Sequence, residues 1–217
     1  MNDPIAHYWH LRIEALQAAL EKNNFEVHLA PRPEDAARLV IETILPALKP
    51  ASMSWGGSRT FVECGLYKQL RNREDIRVID TYDTTLSDDD KTERRRQALL
   101  ADLFFTSTNA VTESGHLVNL DMIGNRVAGL TFGPRFVVVL AGRNKIVPDL
   151  ESAWDRIKTY AAPVNTMRLE KKTPCRTTAF CQDCSSPDRI CNTWTITEKC
   201  FPKQRIKVVL IDDDLGY

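Results

Sequence analysis

The sequence lacks several features that would assign a protein to a familiar class. Lysine plus arginine and aspartate plus glutamate number 29 each, so no net charge attracts the chain to nucleic acid, an anionic membrane or an acidic partner. No apolar run approaches the roughly 18 residues that a membrane span needs. The first residues also lack the basic and apolar regions of a secretory signal. We therefore expect a cytoplasmic protein that binds neither nucleic acid nor membrane.

Internal repeats and histidine metal motifs are absent too. The four histidines share no ligand spacing, and no segment of the sequence recurs. A chain of 217 residues has the length of one α/β domain, or of one domain with an appendage. Two complete domains would not fit comfortably into it.

Segments with strand and helix character alternate along the chain. Ile13, Leu16 and Leu20 recur at helical spacing, whereas 135–142 (RFVVVLAG) is a continuous apolar run typical of a central parallel strand. Further strands are predicted at 25–30, 52–55, 76–82, 103–111 and 205–211. This alternation predicts an α/β fold in three layers, with a mostly parallel sheet between helices.

Local signals predict where three helices begin or end. Pro33 suits the first turn of a helix, and Pro46 is predicted to stop that helix. Thr60 and Glu63 have the spacing of a capping box at the start of the next one. A later helix is predicted over 148–161.

Cysteine is concentrated in the last quarter of the chain. The spacing C-x5-C-x2-C-x6-C, with few core-forming residues between, suits a metal or iron–sulfur site in a reducing cytosol. The candidate ligands are Cys175, Cys181, Cys184 and Cys191, with Cys200 as the alternative fourth ligand. Spacing alone leaves an iron–sulfur cluster, zinc and free thiols open. The remaining Cys64 is predicted to be a small buried residue.

A short glycine turn follows the predicted strand at 52–55. Gly56, Gly57 and Ser58 lie between that strand and a predicted helix. Free backbone N–H groups in such a turn attract phosphate or carboxylate. The segment is therefore a candidate anion-binding loop, with a plain tight turn as the alternative.

Polar residues are dense between positions 113 and 126. Glu113 follows a predicted strand, where open parallel sheets place their ligand crevices. Glu113 and Asp121 are candidate catalytic residues, because a carboxylate there can accept a proton. Asn119, Asn125 and Arg126 are candidate substrate-binding residues, with Arg126 as a bidentate clamp for a carboxylate. Turn formation and helix capping are the alternative roles.

Two more polar residues follow the strongest predicted strand. Asn144 and Lys145 come directly after 135–142. A lysine in this place can contact the phosphate or carboxylate of a ligand, although most lysines after a strand are simply solvated. Both residues are candidates for anion binding.

The segments 106–147 (TSTNAVTESGHLVNLDMIGNRVAGLTFGPRFVVVLAGRNKIV) and 54–66 (SWGGSRTFVECGL) closely resemble the LUD family of lactate utilization proteins. The motif CQDC at 181–184 resembles the cysteine-bearing branch of that family, related to lactate utilization protein C. The resemblance implies a fold like that of the NagB/RpiA/CoA-transferase type. It also implies a role in oxidising lactate to pyruvate alongside iron–sulfur partner proteins, which favours a [4Fe–4S] cluster over zinc.

Taken together, these patterns predict an α/β domain at 1–166, a cysteine-rich segment at 167–204 and a returning strand in 205–217. The expected protein is a component of 2-hydroxy-acid utilization that binds a small carboxylate or phosphate and passes electrons through the cluster. The alternatives are a non-redox isomerase or acyl/CoA-transferase-like enzyme with structural zinc, and a non-catalytic regulatory subunit. A homo-oligomer is compatible with each.

Overall fold

The computed structural model describes residues 3–217. Within this range the α-helices are α1 (Pro4–Lys22), α2 (Pro33–Leu39), α3 (Leu45–Leu48), α4 (Arg59–Glu63), α5 (Leu66–Leu70), α6 (Asp88–Ala98), α7 (Asn125–Thr131), α8 (Leu150–Arg156), α9 (Ala162–Arg168) and α10 (Pro174–Thr178). The strands are β1 (Glu26–Ala30), β2 (Ser52–Trp55), β3 (Arg77–Ile79), β4 (Leu103–Ser107), β5 (Ala110–Thr112), β6 (Leu117–Asp121), β7 (Phe136–Gly142), β8 (Ile146–Val147), β9 (Thr193–Thr197) and β10 (Ile206–Ile211).

Six strands form the main sheet in the order β1-β10-β7-β4-β2-β3, and every neighbouring pair is parallel. The strand β7 lies near the middle, where Val138 pairs with Lys207 of β10 and with Phe105 of β4. Its residues from Val137 onward are buried, as expected for a strand covered on both faces. The predicted three-layer fold with a mostly parallel sheet is confirmed.

Alternation along the strands divides the apolar core between the two faces of this sheet. Phe105 and Val138 face a cluster that includes side chains from α2, α4 and α5. Phe104 and Val137 face the opposite cluster, which contains Ile13, Leu16 and Leu20 of α1 together with residues of α6 and α7. Successive side chains of a strand point to opposite faces, so each strand contributes to both clusters.

A second sheet of four strands has the order β8-β5-β6-β9. The strands β5 and β6 form a hairpin around Ser114-Gly115 and pair antiparallel. The single strand predicted over 103–111 is wrong. The chain leaves the main sheet after Ser107, since the Thr108 hydroxyl lies 2.8 Å from the carbonyl oxygen of Ala110 and 3.1 Å from that of Val118. These contacts turn the backbone into the second sheet.

Proline does not end the helices where the sequence suggested. The helix that begins at Pro33 continues past Pro46 through a π-helical segment, Val40–Ile44, into α3. A second π-helical segment, Ile157–Ala161, precedes Pro163 and carries the helix of α8 into α9. A proline inside a helix lacks the N–H and crowds the carbonyl four residues earlier, and the wider π turn relieves both problems.

The segment after α9 contains both an appendage and a return to the core. It includes α10, and its strand β9 pairs with β6 at the edge of the second sheet. The strand β10 then enters the main sheet between β1 and β7. Between Asp3 and Tyr217, no helix combines the length and apolar character needed to cross a membrane.

Candidate functional site

A cavity of about 640 Å³ opens at the carboxyl ends of the main-sheet strands. Its walls come from the segments that follow β2, β3 and β7, from the end of β4, and from residues 157–171, which include α9 and the turn after it. All strands of the main sheet are parallel, so their carboxyl ends meet at one edge, where α/β folds bind their ligands. This position identifies the cavity as the candidate ligand site. We call it the basic cavity, because most of its charged side chains are basic.

Positive charge dominates the walls of the basic cavity. One carboxylate side chain, Asp121, lines it together with six basic side chains: Arg59, Arg95, Arg126, Lys145, Arg168 and Lys171. Some of this charge is already compensated, because Arg59 pairs with Glu63 at 3.2 Å. The remaining excess favours an anionic ligand, since a concave, partly dry site concentrates the field of its charges.

Lys145 lies at the bottom of this cavity, in the 3-10 turn that follows β7. Its side chain is almost completely buried, and Nζ donates to Ser107 Oγ at 2.6 Å and to Thr60 Oγ1 at 2.8 Å. Burial, together with the positive charges of Arg156 and Arg126, lowers the pKa of Lys145 from 10.5 to about 7. Close to neutral pH, a large fraction of this amine is therefore uncharged.

Arg126 is fixed in place by the residues around it. Its Nη2 donates to Asn109 Oδ1 and to the carbonyl oxygen of Leu120, both at 2.8 Å. Asp121 Oδ1 lies 3.3 Å from Arg126 Nε, so the two side chains form an ion pair. The geometry is not that of a hydrogen bond, and Nε has no acceptor among the described residues. The carboxylate of Asp121 also accepts from the Arg126 backbone N–H at 3.2 Å. A guanidinium held this firmly is prepared to bind an anion with little loss of conformational entropy.

The glycine turn contributes less to anion binding than its sequence suggested. Gly56 N–H donates to the Phe105 carbonyl oxygen at 2.9 Å, and Ser58 N–H donates to the Tyr82 hydroxyl, also at 2.9 Å. The Ser58 side chain accepts from Phe61 N–H at 3.0 Å and so caps α4. Ser58, and not Thr60 as the sequence suggested, is thus the capping residue, and two N–H groups of the turn are already occupied.

Four cysteines line a second, small cavity of about 20 Å³: Cys175, Cys181, Cys184 and Cys191. Two cations, Lys158 and Arg189, line it as well, and both pair with Asp183 at 2.9 Å. Arg189 also donates to the carbonyl oxygens of Cys184 and Cys191, which ties the two ends of the loop together. Burial raises the pKa of Cys191, while these cations oppose the rise. We call this place the cysteine cavity.

The sulfur atoms of the cysteine cavity share a space without surrounding a single point. Within residues 3–217, no group of three or more cysteine, histidine, aspartate or glutamate side chains is arranged closely enough to hold a metal ion. None of the six cysteines, all of which lie within these residues, forms a disulfide bond. The donor set of four thiols, with two cations nearby to offset thiolate charge, is nevertheless chemically suited to an iron–sulfur cluster or to zinc.

The two cavities are neighbours. Ile190 lines both of them, directly before Cys191. The π-helical segment contributes Ile157 and Ala161 to the basic cavity and Lys158 to the cysteine cavity. One isoleucine and one helix therefore separate the candidate ligand site from the thiols.

Comparison with known proteins identifies the family. The profile of the LUD domain matches residues 13–211. The chain belongs to the LUD domain family. A matching solved structure is a DUF162 family protein from Deinococcus radiodurans, with 12% identity, a TM-score of 0.50, and coverage of 94% of this chain and 97% of that one. At this identity the likeness concerns the fold alone. No curated protein matches.

Several residues proposed from the sequence lie outside the basic cavity of this LUD protein. Glu113 is half exposed, and its carboxylate pairs with Arg12 at 2.6 Å. The side chain of Asn144 accepts from Leu215 N–H at 3.2 Å and so fastens the final segment. Asn119 is completely buried and accepts from Asn109 N–H at 3.3 Å, which supports the turn between the two sheets. Glu113 is therefore no longer our candidate base.

Cys200 is also separate from the other late cysteines. It is completely buried in the core, where its thiol donates to the Pro202 carbonyl oxygen at 3.2 Å and accepts from Ile206 N–H at 3.3 Å. It does not line the cysteine cavity. The alternative of Cys200 as a fourth ligand is dropped. Cys64 is buried, as predicted.

The sequence did place Gly57, Ser58, Asp121, Asn125, Arg126 and Lys145 among the candidates, and all of them line the basic cavity. It missed Ser107, Asn109 and Arg168, which also line it. Ser107 and Asn109 lie in the polar segment that ends the strand LFFTS, a position that could have drawn attention to them. Arg168 carries no comparable signal, because it comes from a helix distant in sequence from the strand ends.

Proposed function

We propose that this LUD protein is a component of lactate or related 2-hydroxy-acid utilization, in which the basic cavity binds a small carboxylate. The observation that carries the proposal is the excess of cationic side chains around Arg126 at the carboxyl ends of the strands. Membership of a family associated with lactate utilization supports the choice of metabolite. A cavity of about 640 Å³ with polar walls has ample room for a small carboxylate.

The fixed guanidinium of Arg126 is the group best placed to bind the carboxylate. Its Nη2 is already used by Asn109 and Leu120, so the carboxylate meets the remaining N–H groups. Arg168 and Lys171 line the same cavity and add to the field that draws the anion in. Such charge-assisted hydrogen bonds are stronger than neutral ones, which gives selectivity for carboxylates over neutral alcohols.

We further propose that Cys175, Cys181, Cys184 and Cys191 hold a [4Fe–4S] cluster, with zinc as the alternative guest. Four thiols lining one cavity, beside Lys158 and Arg189, support this assignment. Such a cluster, when bound, supplies one-electron transfer. The protein itself contributes cations that favour the thiolate form, and Ile190 separates the thiols from the ligand.

Carboxylate binding is tested by titrating the purified protein with lactate, 2-hydroxybutyrate and pyruvate in a calorimeter. Arg126→Gln should weaken binding about 10- to 100-fold, because a hydrogen bond to a charged group contributes roughly 1.5–3 kcal/mol. Glu113→Gln is the matched control and should bind like the wild type, since Glu113 lies outside the cavity. Failure of the wild-type protein to bind any of these acids would refute the proposal.

The cluster assignment is tested by anaerobic purification and quantitation of iron, sulfide and zinc. We expect about four iron atoms and four sulfides per chain. Cys184→Ser should lower the iron content, whereas Cys200→Ala should leave it unchanged because Cys200 lies in the core. Stoichiometric zinc with no iron would replace the redox assignment by a structural one, and equal iron loss in both variants would contradict the ligand set.

A further inference from the structure

The least explained group in the basic cavity is the amine of Lys145. In the described range 3–217 it forms no ion pair, and its two close partners, Ser107 and Thr60, are neutral hydroxyls. The side chain is 3% exposed, yet it lines the cavity, so a bound ligand can reach Nζ. Enclosure among hydroxyls does not resemble the surroundings of a lysine that serves only to attract anions.

The surroundings favour the neutral amine over the ammonium. Removing a charge from water without a counter-ion is costly, and Arg126 and Arg156 add repulsion. A neutral amine contributes little to the attraction of an anion, but it has a lone pair available for attack on a carbonyl carbon. Desolvation beside cations is a recognised way of activating a lysine nucleophile.

We propose that Lys145 forms an imine with a carbonyl compound that carries a carboxylate or phosphate, bound in the basic cavity. The lone pair of Nζ attacks the carbonyl carbon, and a carbinolamine forms. Both amine hydrogens end up on the former carbonyl oxygen, which leaves as water when the C=N bond forms. The step requires no oxidant or reductant.

The neighbouring groups suit this chemistry. Ser107 Oγ, at 2.6 Å from Nζ, is within reach to pass a proton from the amine to the carbonyl oxygen. Thr60 Oγ1, at 2.8 Å from Nζ and 3.5 Å from Ser107 Oγ, is the second hydroxyl that holds the amine in place. Arg126 is held firmly in the same cavity and can bind the anionic group of the compound. The inference rests on the proposed function, because it uses the same cavity and the same anion-binding residues.

Reductive trapping tests the proposal directly. The full-length protein is incubated near neutral pH with sodium cyanoborohydride and one of three probes: pyruvate, dihydroxyacetone phosphate or acetone. The reagent's hydride and a proton from water convert an imine into a stable secondary amine, which peptide mass spectrometry locates. We expect an adduct at Lys145 with at least one of the two anionic probes, and at least ~10-fold less with neutral acetone.

Exposed Lys22 provides the internal comparison within the same sample. Labelling at Lys145 should be at least ~10-fold faster, because a solvated lysine is almost entirely ammonium at neutral pH. Lys22→Arg should retain the adduct and Lys145→Arg should lose it. Since the site is mapped in wild-type protein, the test does not depend on how well the Lys145 variant folds.

The outcomes separate this inference from the proposed function. If calorimetry shows carboxylate binding but neither anionic probe labels Lys145, the imine proposal is overturned and the carboxylate site stands. Labelling spread evenly over the lysines, or equal labelling by acetone, also overturns it. If no carboxylate binds but dihydroxyacetone phosphate labels Lys145, the proposed function fails and the imine inference stands for a phosphate compound. If no carboxylate binds and neither anionic probe labels Lys145, both fail.

Discussion

Replacing Lys145 with methionine should change how the stability of the protein depends on pH. In the folded protein burial lowers the pKa of this amine from 10.5 to about 7. Between these two values the unfolded chain binds more protons at this group than the folded chain does. The free energy of unfolding therefore rises with pH across this interval, and the destabilising effect of the amine is largest below about pH 7. Methionine binds no proton and removes this dependence.

The size of the effect follows from the linkage relation. With the two pKa values above, the wild-type protein should gain about 1.5 kcal/mol of unfolding free energy between about pH 7 and about pH 8.5, relative to the variant. Above this interval the stability of both proteins should fall, because burial raises the pKa of Cys64 from 9.0 to about 12 and this thiol acts in the opposite direction at higher pH. Other titrating groups are common to both proteins, so the difference between the curves isolates Lys145.

The assay is urea denaturation followed by far-ultraviolet circular dichroism at several pH values within that interval. Lys22→Met, at an exposed position on α1, is the control and should give a curve parallel to that of the wild type. The reasoning is refuted if the wild type and Lys145→Met also give parallel curves, because the amine would then be protonated to the same extent in the folded and unfolded chains.

Three further substitutions test contacts near the basic cavity. Gly129→Ala in α7 should lower the unfolding free energy by about 1–2 kcal/mol, because its Cβ would lie 2.8 Å from the buried Phe104 ring and this overpacking outweighs the gain in helix propensity. Gly57→Ala is the control, because no atom lies within 4 Å of the added carbon, and it should change the unfolding free energy by less than about 0.5 kcal/mol. Equal losses in the two variants would contradict the overpacking against Phe104. Tyr82→Phe should cost about 1–3 kcal/mol, because its hydroxyl donates to the Gly56 carbonyl oxygen at 2.6 Å, and an unchanged urea midpoint would show that this bond contributes nothing.

Patterns along the chain were sufficient to predict the parallel sheet and to name part of the candidate site. The run 135–142 predicted a central strand because a strand covered on both faces must be apolar throughout, and β7 occupies that place. Arg126 and Lys145 were candidates because polar residues next to predicted strands in an α/β fold tend to face its crevice. The resemblance carried by 106–147 pointed to the family that the profile match then showed.

Other features depend on contacts between residues far apart in sequence. The segment 103–111 has continuous strand character, and only the hydrogen bonds of Thr108 show that it divides between two sheets. Glu113 has the position of a catalytic base, but its partner is Arg12 on α1. A local sequence pattern shows which residues are polar. It does not predict which residues distant in sequence they will contact.

The amino-acid order therefore specified the kinds of group available: parallel strands, cations after strands, and a late set of thiols. Folding determined which of these groups lie next to one another. Cys200 was separated from its neighbours and buried beside β10, while four other cysteines came to one cavity that shares Ile190 with the basic one. Burial removed water from the amine of Lys145, and its hydrogen-bond partners are hydroxyls and not a carboxylate. The pKa of this amine therefore differs from that of a lysine in solution. The burial of a side chain and the identity of its partners depend on tertiary packing. Packing brings together residues that are far apart in sequence, so local sequence patterns do not reveal these contacts.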